Sequence, residues 1–424
     1  SSRTIRNLSV AIQKGKTDCV AVLNACFEKI DEQESQLHAW AFLDREGAIR
    51  QAKILDDELA AGNYRGALHG IPIGIKDIID VANMPTAAGA NWRKELIAKE
   101  DAPLVSLLRD AGAIILGKTV TTQFACFDPP VTRNPWDNTK TPGGSSSGSA
   151  VAVATGMCLG AIGTQTGGSI TRPASFCGVC GFKPTFEKVN TAGIIPVSKN
   201  LDHAGPIAQT VDDLWLMYDV LSDNNSQKYH PLSQHVRIGQ LNKMGEEKID
   251  SDMRKVFQKT INTLNEAGAV VSEVALPETF FELFDHHWNI MAYDAAKYHL
   301  PFLKDHANDY SPGMQKLIEQ GMNVSDETFN KAKKHQQKLK QEMSSCFQGC
   351  DILVTPATLG TAPDCSTTGN PHMNTPWSYT GLPTISFPVG EGSNGLPLAM
   401  QLIGNANAEK KLFEVARWAE LIIS

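Results

Sequence analysis

The stretch from Thr141 to Thr185, TPGGSSSGSAVAVATGMCLGAIGTQTGGSITRPASFCGVCGFKPT, limits this chain more than any other. It is dense in glycine and serine, holds two short apolar segments, and contains no Asp, Glu or His. Glycine lets a backbone take positive φ or come close to a reacting group. A serine with no acid nearby either shapes a turn or is a nucleophile whose base must come from elsewhere. A flexible Gly/Ser linker does not fit, because the interior AVAVATGMCLGAIG is as apolar as a core helix followed by a strand.

Strands and helices alternate along the rest of the chain. Residues 8 to 60 read as helices, with Thr17 available as a cap, and GALHGIPIGIKDIID carries a strand ending near Lys76. PLVSLLRDAGAIILGK reads as helix then buried strand, Thr210 with Asp213 as a capping pair, and VRIGQL and AVVSEVAL as strands flanking a helix over 251–266. Residues 280–345 are helical apart from a break at 311–313. DILVTP, LPTISFPVG and PLAMQLIG are short buried strands, and a helix closes the chain over 408–422. The expectation is an α/β fold: one large domain with a central mixed β-sheet covered by helices on both faces. It divides into a helical N-terminal segment (about 1–62), a core (about 64–222), a mostly helical insertion (about 240–345) and C-terminal core strands with a helix (about 350–424).

Composition narrows the partners. A net charge of −7, from 39 basic and 46 acidic residues, with no basic block, excludes a nucleic-acid surface. No apolar run is long enough to span a membrane. The 9 cysteines are odd in number and unclustered, which reads as reduced thiols in a cytoplasmic protein. The first residues, SSRTIRNLSV, lack an initiator Met and an apolar signal region, as a trimmed or incomplete start would.

Three patterns compete for the chemistry. Gly112 to Thr119, GAIILGKT, satisfies the phosphate-binding pattern of an NTPase, but a helix precedes it and its variable residues read as the strand itself. Gly144-Ser145-Ser146-Ser147-Gly148 matches a nucleophile elbow centred on Ser146. That motif needs a strand before it and a partner histidine, and none of His203, His230, His235, His286 or His287 sits in a fitting context. The third pattern is Thr166-Gly167-Gly168-Ser169: two glycines before a serine let consecutive N–H groups converge as an oxyanion hole requires. With no suitable histidine, the remaining base is a lysine held neutral by burial, with Ser145 passing the proton. Lys76, flanked by isoleucines, is also the kind of lysine that merely extends its amine to water.

GGSSSGSA at 143–150, the run 163–185 and GIPIGIKD at 70–77 resemble, in order and spacing, the three blocks of the amidase signature family, and DILVTPA, TGNPHMNTPWSYTGLPTISFPVG and GLPLAMQLIG resemble its tail. The resemblance implies Ser169 as nucleophile, Ser145 as bridging serine in a cis peptide and Lys76 as base. It further implies an oxyanion hole from Thr166, Gly167 and Gly168 with the N–H of Ser169, and support of Ser145 by Ser146 and Thr164. The implied activity is hydrolysis of a small-molecule amide through an acyl-enzyme, with carbamate (urethane) and ester cleavage as alternatives. It implies no cofactor, no metal and a homodimer. A base working near neutrality needs its pKa depressed by roughly three units, about 4 kcal/mol.

Two positions depart from the family's commonest form: Gln165 stands where Asp is usual, and the arginine, Arg172, follows the nucleophile by three residues. This form resembles the malonamidase-like branch, where the arginine binds a substrate carboxylate, and argues against the tRNA-dependent amidotransferase. The alternative for Arg172 is a structural ion pair. Cys177 and Cys180 read as packing, His286-His287 as an exposed helical pair, and Trp136 as turn packing.

Overall fold

The computed structural model describes residues 3–222, 232, 235–241 and 243–424. In chain order it runs α1 (Ile5–Gln13), α2 (Cys19–Leu37), β1 (Trp40–Leu43), α3 (Arg45–Ala60), β2 (Pro72–Lys76), α4 (Pro103–Asp110), β3 (Ile114–Thr119), α5 (Ser147–Thr155), β4 (Gly160–Gln165), α6 (Thr171–Cys177), β5 (Cys180–Lys183), β6 (His203–Ala208) and α7 (Val211–Leu221). It continues through β7 (Arg237–Leu241), α8 (Ser251–Glu266), β8 (Val270–Val274), α9 (Leu283–His299), α10 (Leu303–His306), α11 (Pro312–Met322), α12 (Asp326–Glu342), β9 (Ile352–Pro356), α13 (Thr375–Thr380), β10 (Thr384–Glu391), β11 (Pro397–Ile403) and α14 (Glu409–Ile423).

Among the described residues eleven strands form one mixed sheet, in the order β1-β3-β2-β4-β6-β5-β10-β11-β9-β7-β8. The centre reads as near-continuous apolar sequence because helices cover both faces: every residue of β2, β3 and β4 is buried. β2 lies parallel to both β3 and β4, so the carboxyl ends of β2 and β4 open at the same edge. That edge is where α/β sheets place their sites.

Some local expectations change. The run 8–60 is not wholly helical, since β1 interrupts it and adds an antiparallel edge to β3. The cap expected at Thr17 falls one residue later: the Asp18 side chain accepts the Ala21 N–H. Thr210 caps α7 as expected, receiving the Asp213 N–H, but the Asp213 carboxylate turns away and accepts the Ile5 and Arg6 N–H groups at 2.8 and 3.0 Å. The buried Asp213 thus caps α1 from across the fold and ties the N-terminal helix to α7. The GAIILGKT decoy is strand from Ile114 onward, and Lys118 is buried 3.0 Å from Asp77, so no phosphate loop exists there. Cys177 and Cys180 are buried free thiols, as packing requires. Trp136 is more than half exposed, and its indole N–H donates to the Cys177 carbonyl at 2.9 Å. His230 lies outside the described residues. Among the described residues, no helix is long and apolar enough to cross a membrane.

Asp213→Ala strips two helix-start N–H groups of their acceptor. The expected loss is about 2 kcal/mol in urea unfolding, with turnover per folded molecule unchanged.

Candidate active site

Lys76 is the last residue of β2 and is fully buried. Its Nζ lies 2.6 Å from Ser145 Oγ, 2.7 Å from Thr164 Oγ1 and 3.4 Å from the Thr164 carbonyl. All of these neighbours are neutral. Burial therefore dominates and lowers the pKa of the amine to about 7, against the opposing pull of Asp202 and Cys126.

Ser145 stands just before α5, and the Gly144–Ser145 peptide is cis. Gly143 holds φ +83°, and a side chain there would meet the Pro173 backbone at 2.7 Å, so both conformation and space demand glycine. The Ser146 hydroxyl sits 3.2 Å from both the N–H and the carbonyl of Thr164, clipping the start of α5 to β4. Ser146 is thus spent on structure, and among the described residues no histidine bonds to it as a nucleophile elbow requires.

The chain leaving β4 makes the turn 166–169. Gln165 fixes its far end: Oε1 accepts from the N–H groups of Ile170 and Thr171 and from the Thr171 hydroxyl. The turn's carbonyls are all held. Thr166 O lies 2.8 Å from His287 Nε2, Gly167 O accepts from the Ser378 hydroxyl at 2.7 Å, and Gly168 O from the Arg172 N–H at 3.0 Å. The Thr166 hydroxyl donates to Asp202 at 2.7 Å. Among the described residues, the N–H groups of Gly167, Gly168 and Ser169 donate to no protein acceptor.

Ser145, Gly167, Gly168, Ser169 and Arg172 share one cavity of about 300 Å³. Two loops line it, through Thr122, Ala125, Cys126 and Phe127 on one side and Gly369, Pro371 and Thr375 on the other. Helix α9, within the insertion, supplies an apolar wall of Phe284, Trp288 and Met291. It also overturns the exposed-pair reading of His286-His287. His287 is buried at the cavity, and burial drives its pKa down to about 4, whereas His286 stacks on His335. Adjacent residues on a helix point about 100° apart, so one faces inward and its neighbour outward.

Arg172 is 5 % exposed. Its Nη2 donates to the Gly144 carbonyl at 2.9 Å and approaches Thr368 Oγ1 at 3.4 Å, while Nε and Nη1 are buried without partners. No carboxylate among the described residues pairs with it, so the structural ion pair is absent. Burial lowers its pKa only to about 10, which leaves it charged at neutrality.

A buried lysine bonded to serine, a second serine beside free backbone donors and a cavity over both define a class of hydrolase that needs no histidine. The sequence profile of the Amidase family matches residues 21–413. The chain belongs to that family, whose hydrolases act on C–N bonds. It is 32% identical to a glutamyl-tRNA(Gln) amidotransferase polypeptide of Cyanothece sp., over 97% of this chain and 96% of that one. A solved structure described as an amidase superposes with a TM-score of 0.93 at 30% identity, covering 99% and 100% of the two chains. The peptide amidase of Stenotrophomonas maltophilia superposes at 0.88 with 28% identity, covering 100% and 97%.

Arg172→Met removes a buried charge that has no counter-ion. The urea midpoint of the variant is expected to rise, by about 1 kcal/mol in stability, as chemical denaturation will read.

Proposed function

We propose that the protein hydrolyses small amides, with Ser169 as nucleophile, Ser145 as proton relay and Lys76 as base. The observation that carries this reading is the buried Lys76 amine, whose pKa is lowered to about 7 so that a large share is uncharged near neutrality, 2.6 Å from Ser145 Oγ. In its neutral form the amine accepts the Ser145 proton while Ser145 takes that of Ser169, whose Oγ attacks the carbonyl carbon. The developing oxyanion is met by the turn 166–169, whose free N–H groups suit that task. Reversed, the relay protonates the leaving nitrogen as the C–N bond breaks. Water, deprotonated by the same relay, then cleaves the acyl-enzyme.

Arg172 supports a finer reading, in which the substrate is a small amide carrying a carboxylate. Arg172 lines the cavity and carries a charge that no carboxylate among the described residues neutralises, which suits a substrate carboxylate. With Gln165 and the shifted arginine, this favours a malonamidase-like enzyme over the amidotransferase role named for its relative. Carbamates and esters pass through the same oxyanion and are the second class of substrate the machinery accommodates.

Ser169→Ala and Lys76→Ala are each expected to lower turnover by several powers of ten with the fold intact, and a fluorophosphonate probe to label Ser169 alone. Because the working form of Lys76 is the neutral one, kcat/KM should rise tenfold per pH unit below about pH 7 and level off above it; a flat profile through that region overturns the relay. On malonamate and a neutral amide of equal size, Arg172→Ala should cost the acidic substrate at least about 30-fold more, given the worth of a desolvated charge pair. Equal losses remove the carboxylate pocket.

A further inference from the structure

The carbonyls of the turn 166–169 are held by groups from distant parts of the chain. In a trans peptide the C=O and the following N–H point to opposite sides. Whatever grips the carbonyl of Thr166 therefore aims the N–H of Gly167, and whatever grips that of Gly167 aims the N–H of Gly168.

The donors on the two carbonyls have defined proton positions. A carbonyl only accepts, so His287 carries its proton on Nε2, and burial keeps the ring neutral. Gln165 has committed Oε1 to three donors, so its Nε2 faces Ser378 Oγ, at 3.2 Å. An amide nitrogen only donates, which leaves the Ser378 proton no use but the Gly167 carbonyl. The glutamine that replaces the family's usual aspartate thus supplies a donor that aspartate lacks.

We propose that His287, and Ser378 oriented by Gln165, are positioning residues that aim the N–H groups of Gly167 and Gly168 at the developing oxyanion. This rests on Ser169 being the nucleophile. The two ties are independent: His287 comes from α9, while Ser378 comes from α13 and is directed from β4. Asp202, receiving the Thr166 hydroxyl, keeps the same residue from rotating.

The test measures turnover of an amide that wild type hydrolyses, normalised to the Ser169 that a fluorophosphonate titrates, so that misfolded enzyme does not count. Removing an oxyanion donor costs about 100-fold or more, and misaiming one should cost at least about tenfold. His287→Phe and Ser378→Ala should lower kcat per titrated site by that factor with KM within twofold of wild type, and His287→Gln, which restores an N–H, should recover most of the loss. Gln165→Glu keeps the acceptor oxygen but turns the Ser378 proton toward a carboxylate. It should match Ser378→Ala, and the double variant should be no worse than either single.

Unchanged kcat per titrated site in both His287→Phe and Ser378→Ala overturns the proposal. So does a loss that appears only as a smaller titratable fraction. Ser169→Ala run alongside separates the levels. If it is inactive while the two variants are unaffected, only this inference fails; if it is active, the reading beneath fails as well.

Discussion

Holding one lysine uncharged inside the sheet is the condition on which the rest of the site rests. Desolvation by itself shifts the equilibrium toward the free amine, and the surroundings preserve that shift by offering hydroxyls and a carbonyl rather than a carboxylate. Lys118 shows the opposite solution one strand away. It is equally buried, yet it sits 3.0 Å from Asp77 and 2.8 Å from the Pro85 carbonyl, so it has a charge partner that Lys76 lacks. The parallel register pairs Lys118 with Ile75 and Lys76 with Thr119, and the alternation of strand side chains sends successive residues to opposite faces. A single sheet thus keeps a carboxylate-paired lysine and an unpaired one on opposite faces.

The amine would be idle without close backbone approach around it, and glycine supplies that. Gly143 permits the sharp approach to Ser145 against Pro173. A side chain at Gly163 would strike Ser146 Oγ at 2.7 Å, and one at Gly168 would strike Asn374 Oδ1 at 2.7 Å. The glycine density of 141–185 is therefore a packing requirement at the meeting of α5, β4 and α6, which is why it could be read from sequence at all.

What was legible follows from how local each determinant is. Apolar runs and cap residues gave the central strands and α7 and α8, because those signals lie within a few residues of what they determine. Lys76, Ser145, Thr164 and Ser146, which the fold links by hydrogen bonds, were named through the resemblance of short blocks to a family, since Lys76 meets Ser145 across 69 positions. His287 was not. It meets Thr166 across 121 positions and Ser378 meets Gly167 across 211, and nothing in their own neighbourhoods reveals those partners. The β1 edge was missed because four residues between two long helices carry too little periodicity to be seen. Gln165 was visible as a departure, but its consequence needed the position of Ser378.

Arg172 joins the two halves of the site. Its Nη2 holds the carbonyl of Gly144, the residue before Ser145, and its own N–H holds the carbonyl of Gly168, the residue before Ser169. One residue therefore braces the backbone ahead of both serines while keeping two guanidinium nitrogens unused. A buried cation without a counter-ion is unfavourable for folding, and hydrophobic replacement would relieve it. The burden is offset when an anion fills the cavity, because the same desolvation that makes the empty site costly strengthens the pair that forms. On the proposed reading, an anion paired with this guanidinium would rest against the backbone that leads into both serines.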